Sequence, residues 1–226
     1  MVIRTPAGKA VTIDYREKAP LKATPTMYLN SKGQIERKLT AEGYLAPGVP
    51  GTVRGLALAH KQFGRLPWRT VVMPAVKLAE EGFVLSEPTA RSLNRALTNL
   101  LGHFPSSVEA YGKPGGGQWK GGDRIILTDL GKTLRAIAVG GPDAFYRGWI
   151  ADRIASDMKE HGGLITKRDL AEYTARVRMP VKGHYKGYEI TAMPPPSSGG
   201  IAVIESLNIL SNFDLKSKDR YSPENL

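Results

Sequence analysis

The residues of this chain best suited to chemistry are an arginine flanked by carboxylates and two serines set between rigid and flexible neighbours. Arg16 follows Asp14 and Tyr15 at the end of an alternating apolar stretch and precedes Glu17 and Pro20, which places it at the mouth of a loop. A guanidinium held there is suited to clamp a ligand carboxylate, each charge-assisted hydrogen bond contributing about 1.5–3 kcal/mol. The plainer reading is a surface ion pair with Asp14 or Glu17, the ordinary fate of such arginines. Ser197 and Ser198 lie between Pro194-Pro195-Pro196 and Gly199-Gly200. That setting can aim hydroxyls or amides at a ligand, but it does not match the GxSxG nucleophile elbow, and no base is ordered beside it.

Other groups offer less. The four histidines, His60, His103, His161 and His184, lack the spacing of a metal site. His60 reads as a histidine packed on an apolar helix face. The chain has no cysteine, which removes disulfides, thiolate nucleophiles and cysteine-held metals together. No metal and no cofactor is expected. The run from Gly115 to Gly122 is rich in glycine but lacks the GxxxxGK[ST] order of a phosphate cradle, so it reads as a turn.

Composition sets the frame for these residues. A length of 226 residues suits one or two domains with a sizeable core. No stretch approaches the roughly 18 apolar residues of a membrane span. The net charge of +11 raises the question of nucleic acid, yet no Lys/Arg run exceeds two residues, as in Arg37-Lys38 and Lys167-Arg168. Acids such as Asp169, Glu172 and Glu189 interleave with the lysines, so a solvated basic surface is expected and a nucleic-acid partner is not. The first residues show no basic and then apolar leader, which by itself points to the cytoplasm.

The elements that must position Arg16 and the serines follow from periodicity. Alternation over residues 1–15, broken at Pro6-Ala7-Gly8, predicts a hairpin, followed by a long loop to Gly43. With no third strand nearby the hairpin is marginal, so a missing element is expected. Helices are predicted over 51–63, over 68–81 with Pro74 arguing for a kink, and from Ser86 to about Leu101. Residues 102–123 carry too much proline and glycine for a regular element. A short strand at 124–127 precedes a helix over 130–139 capped by Asp129, a restart near 144–146, a helix lined by Trp149, Ile150, Ile154 and Met158, and a short one from Thr166 to Tyr173. A second hairpin, Val181–Tyr185 with Tyr188–Met193, leads through the prolines and serines into a last helix marked by Val203, Ile204, Leu207 and Leu210. Ser222-Pro223-Glu224 reads as the start of another. The class is α+β, helix-rich with two short hairpins.

Three blocks in order carry a family resemblance: Asp14-Tyr-Arg-Glu-Lys-Ala-Pro20, Gly48-Val-Pro-Gly-Thr-Val-Arg-Gly-Leu-Ala-Leu-Ala-His60, and Met193-Pro-Pro-Pro-Ser-Ser-Gly-Gly-Ile201. Supporting stretches include Ala79-Glu-Glu-Gly-Phe83, Gly141-Pro-Asp-Ala-Phe-Tyr146 and Asp169-Leu-Ala-Glu-Tyr173. Together they resemble the gamma-glutamyltranspeptidase family across nearly the whole chain. The resemblance implies part of an N-terminal-nucleophile hydrolase αββα fold, made as a precursor that cuts itself into a large and a small subunit. It implies cleavage of γ-glutamyl amides such as glutathione, with transfer to water, an amino acid or a peptide. The nucleophile is then the threonine that leads the small subunit, its own amine acting as base.

By that resemblance Arg16, in the family's REXAP block, holds the substrate α-carboxylate, Glu17 orients the loop or the guanidinium, and Ser197 and Ser198 shape the loop near the site. No Thr-Thr-His or Thr-Ser-His block occurs, so no catalytic residue is assigned within residues 1–226. The chain is therefore expected to be a large-subunit portion truncated at both ends, with a small subunit of the same precursor as its partner. The family's habit points to the periplasm or outside, against the cytoplasmic reading of the N-terminus. The alternative is a binding or interaction module that kept the scaffold and lost catalysis.

Overall fold

The computed structural model of the chain describes residues 1–214. In order the elements are β1 (Val2–Arg4), β2 (Ala10–Asp14), α1 (Arg37–Ala41), α2 (Thr52–Phe63), α3 (Trp68–Glu81), β3 (Phe83–Val84) and α4 (Glu87–Asn99). A single 3₁₀ turn, Leu101–His103, leads to α5 (Pro105–Tyr111), β4 (Arg124–Ile125), α6 (Thr128–Gly140), α7 (Asp143–Tyr146), α8 (Trp149–Glu160) and α9 (Lys167–Glu172). Strands β5 (Arg176–Arg178), β6 (Val181–Tyr185) and β7 (Tyr188–Ala192) precede α10 (Gly199–Leu210). The class is α+β, as expected. No helix among the described residues is long and apolar enough to cross a membrane. The helix start expected at Ser222 lies outside the described residues.

The described chain divides into two units, residues 1–19, 48–59 and 172–214 forming one and residues 20–47 and 60–171 the other. In the first unit β1, β2 and β5 form an antiparallel sheet in which Ile3 faces Val11 and Ile13 faces Val177. The first hairpin therefore has its third strand after all, supplied from far along the sequence by Arg176–Arg178. Thr12 and Ile13 of the central strand are fully buried, and the Thr12 hydroxyl donates to the Arg178 carbonyl at 2.8 Å. Strands β6 and β7 pair separately, Gly183 opposite Ile190, and α10 lies on them. Gly183 lets Ile204 approach, since a Cβ there would lie 2.7 Å from the Ile204 side chain.

In the second unit α3 and α6 pack along each other. Gly131 admits the Glu80 side chain, Arg135 grips the Glu80 carboxylate through Nε at 2.8 Å, and Trp68 Nε1 donates to the Ile137 carbonyl at 2.8 Å. Helix α3 runs through Pro74 as one element. A core of Leu85, Ala90, Trp119 and Ile125 sits under Leu93, Leu97 and Leu127. The Asn94 amide binds both the N–H and the C=O of Trp119, at 2.9 and 2.8 Å, and so fixes the loop that delivers the indole.

Three local expectations need correction. Residues 102–123 do hold a helix, because Pro105 occupies the first position of α5, where its missing N–H costs nothing, and Gly112 ends it. The loop after Arg16 contains the short α1. Asp129 is not a cap: α6 begins one residue earlier, its flanking Leu127 makes no side-chain cap, and Asp129 pairs instead with Lys132 at 2.8 Å in the first turn, where a carboxylate suits the helix dipole.

Candidate functional site

Arg16 stands just beyond the end of β2, and the sequence holds its backbone from both sides. Its N–H donates to Asp14 Oδ1 at 3.1 Å, an Asx-type contact across Tyr15, and its carbonyl accepts from the Tyr173 hydroxyl at 2.7 Å. Asp14 in turn receives Arg178 Nε at 2.8 Å from the neighbouring strand. Two residues on, Lys18 and Val49 exchange backbone hydrogen bonds at 2.7 and 3.3 Å, and Lys18 Nζ reaches the Thr174 carbonyl at 2.9 Å. The segment from Asp14 to Lys18 is thus tied to the β5 side, to Tyr173-Thr174 and to Val49.

Two glycines permit this. A Cβ at Gly51 would lie 2.0 Å from the Tyr173 hydroxyl oxygen and 2.3 Å from the Tyr15 carbonyl, and one at Gly55 would lie 2.2 Å from the Tyr15 ring. The first turns of α2 therefore press directly on the arginine's carrier peptide.

The side chain itself is loose. Its Nε lies 3.4 Å from Glu17 Oε1, and both side chains are more than half exposed. Among the described residues the terminal amino groups of Arg16 have no other partner. A fixed backbone with an uncommitted guanidinium fork is the arrangement that bidentate recognition of a carboxylate requires.

Arg16 opens on a cavity of about 470 Å³ in the first unit. Asp14, Glu17, Thr52 and Ser197 supply polar groups to its wall, and Ile13, Met193 and Pro196 supply apolar surface. Of the residues singled out in the sequence, Arg16, Glu17 and Ser197 come together here. Ser198 does not line the cavity; it precedes α10, and its carbonyl accepts the Ala202 N–H at 2.9 Å. Sequence reasoning missed Tyr173, Arg178 and Thr52. Thr52 and Tyr173 lie inside quoted blocks, but Tyr173 and Arg178 meet their partners across 157 and 164 residues, pairings that no local pattern reveals.

Charge at the site is set by Asp14. Burial pushes its carboxyl upward, yet the Arg16 amide, the Arg178 guanidinium and the Lys18 ammonium outweigh that and hold it below the ordinary 3.8. It stays a carboxylate at neutral pH. Burial also lowers the Lys18 ammonium, with Arg176 and Arg178 adding repulsion. The histidines lie elsewhere: His60 bonds the Leu66 carbonyl at 2.7 Å, and His161 stacks on Tyr44 with ring centres 4.3 Å apart. No group of three potential metal ligands occurs among the described residues. Gly115, Gly116 and Gly117 all adopt positive φ, which suits the turn expected there.

The mixed helix-and-strand architecture that carries this arginine is that of the N-terminal-nucleophile hydrolases, matched in solved structures across the full chain. Within that class the chain belongs to the gamma-glutamyltranspeptidase family, whose model matches residues 1–226. It is 45% identical over 216 residues to a glutathione hydrolase proenzyme of Escherichia coli strain K12, covering 96% of this chain and 37% of that protein. A glutathione hydrolase proenzyme from Pseudomonas sp. strain A14 is 37% identical over 227 residues, 99% of this chain and 39% of its own length. The gamma-glutamyltranspeptidase of Helicobacter pylori superposes with a TM-score of 0.95 at 42% identity, covering 100% of this chain and 64% of that one. The chain therefore spans well under half the length of these curated relatives.

Proposed function

We propose that this chain is the γ-glutamyl-binding part of the large subunit of a γ-glutamyltransferase or glutathione hydrolase, and that Arg16 holds the substrate α-carboxylate. The observation that carries the reading is the uncommitted guanidinium fork of Arg16, mounted on a peptide pinned at both its N–H and its C=O and facing a cavity. Family membership and the proenzyme relatives support the reaction class.

In this reading the small subunit of the same precursor docks on the chain and brings a leading threonine. The threonine oxygen attacks the γ-carbonyl carbon of glutathione or a related compound, its proton passing to the α-amine. Collapse of the tetrahedral intermediate breaks the C–N bond, and the departing amine takes the proton. Water or an amino acid then attacks the acyl-enzyme and regenerates the threonine. Glu17 orients the Arg16 guanidinium from 3.4 Å, Ser197 adds a hydroxyl to the wall, and Ser198 fixes the turn behind it. The complete enzyme works in the periplasm or outside the cell.

Substrate chemistry tests the assignment. In the complete enzyme, Arg16→Ala lowers kcat/KM for a γ-glutamyl anilide about 10–100-fold, mostly through KM, since one or two charge-assisted hydrogen bonds disappear. The 4-aminobutanoyl anilide, which lacks the α-carboxylate, is hydrolysed equally by both enzymes. An unchanged KM for the γ-glutamyl substrate would remove Arg16 from the site, and a complete reading frame without turnover would favour the binding module.

A further inference from the structure

We propose that Tyr173 is a positioning residue for Arg16: its hydroxyl fixes the carrier peptide and with it the point and direction from which the side chain reaches a substrate carboxylate. The inference rests on the reading of Arg16 as the carboxylate clamp and extends it to a residue 157 positions away.

Two independent features support it. Tyr173 is buried, at 3% exposure, and its hydroxyl donates to the Arg16 carbonyl at 2.7 Å, the acceptor that the end of β2 leaves outside the sheet. The oxygen also fills a notch that only glycine leaves open, because a Cβ at Gly51 would stand 2.0 Å from it. The neighbouring contacts run in the same sense: Lys18 Nζ lies 4.7 Å from the centre of the Tyr173 ring and binds the Thr174 carbonyl, so the two strands of chain are joined at Arg16 and again at Lys18.

The consequence concerns orientation rather than charge. Arg16 and Glu17 are exposed and connected by a single 3.4 Å contact, so apart from that contact the place from which the guanidinium reaches out is set by its backbone. With the Arg16 N–H on Asp14 and the C=O on Tyr173, the peptide planes on both sides of its Cα are set. Without the hydroxyl only one is.

The test is Tyr173→Phe in the complete enzyme, which removes the oxygen and keeps the ring. With the γ-glutamyl anilide KM should rise roughly three- to tenfold, the effect of one lost hydrogen bond, while kcat stays within about twofold. The 4-aminobutanoyl anilide should show no change, and in an Arg16→Ala background Tyr173→Phe should add nothing. Gly51→Ala, which evicts the hydroxyl from its notch, should give the same substrate-selective loss. Equal losses on both substrates would make Tyr173 a structural residue, and no loss on either would make its hydroxyl dispensable. Each result overturns the proposal while Arg16 keeps its role, provided Arg16→Ala discriminates between the substrates. If Arg16→Ala does not, the reading of Arg16 falls and this inference with it.

Discussion

At the scale of single residues, the site is governed less by the arginine than by the carboxylate beneath it. Asp14 binds the Arg16 amide with one oxygen and Arg178 with the other, so it serves the joint between β2 and β5 and, in the proposed function, the geometry of the carboxylate clamp. Asp14→Asn leaves an acceptor for one of these donors but gives up the charge, and should cost about 1.5–3 kcal/mol in urea unfolding, the range for a hydrogen bond to a charged group. Asp169 is the comparable residue of the second unit: buried, it accepts the Leu21 N–H at 2.6 Å, the Thr166 N–H at 2.8 Å and the Thr166 hydroxyl. Burial raises its carboxyl, and these donors together hold it below the ordinary 3.8. Both groups are therefore depressed in the folded state. Their stabilisation is complete above the unfolded value of 3.8 and is lost as pH falls through the lower folded values. Thermal unfolding followed from pH 6 to pH 2 should show Tm falling steeply below about pH 4, with a shallower fall in the Asp14→Asn variant. Parallel curves for the two proteins would show that Asp14 has the same proton affinity folded and unfolded.

At the scale of elements, α2 is where local preference and tertiary packing disagree. Helix propensity alone favours Gly55→Ala in the interior of α2 by about 1 kcal/mol. The added Cβ would lie 2.2–2.4 Å from three atoms of Tyr15, however, and Tyr15 precedes the pinned Arg16. Overpacking costs about 1–3 kcal/mol, so the variant should be destabilised, with a lower Tm and a raised KM for the γ-glutamyl substrate. A stabilised variant with normal KM would show that α2 does not press on the site. The sequence makes α2 and α3 legible to within a residue, because apolar positions at helical spacing run up to glycine stops. It does not reveal β5, three residues enclosed between a loop and Met179-Pro180, whose strand geometry exists only through β2. Nor does it reveal α5, whose glycine- and proline-rich surroundings mask seven helical residues. The site divides the same way. Arg16, Glu17, Ser197 and Tyr173 belong to quotable blocks and Arg178 does not, but the roles of Tyr173 and Arg178 come from contacts that only the folded chain creates.

At the scale of the whole molecule, the most telling surface is α10. The helix Gly-Gly-Ile-Ala-Val-Ile-Glu-Ser-Leu-Asn-Ile-Leu carries one charge in twelve residues, the composition of a helix buried on all sides. One side lies on β6 and β7, while Ile201, Val203 and Ile209 stay 46%, 51% and 57% exposed, and Phe213 beyond the helix is 58% exposed. At 3.6 residues per turn these positions spread around the helix, so α10 leaves apolar side chains open on more than one side, in a chain whose net charge is +11. The curated relatives possess more chain than the share matched here, 37% of the Escherichia coli protein, and in the proposed enzyme the small subunit adds a further surface. The 226-residue chain expressed alone should therefore bind the apolar dye ANS and self-associate, and Val203→Lys with Ile209→Lys should reduce both. In the proposed complete enzyme, with the remaining chain laid over these side chains, little dye should bind. Equal dye binding by the complete enzyme and the isolated chain would show that α10 stays open to solvent in the assembled protein, and its exposed apolar side chains would then have no part in joining the subunits.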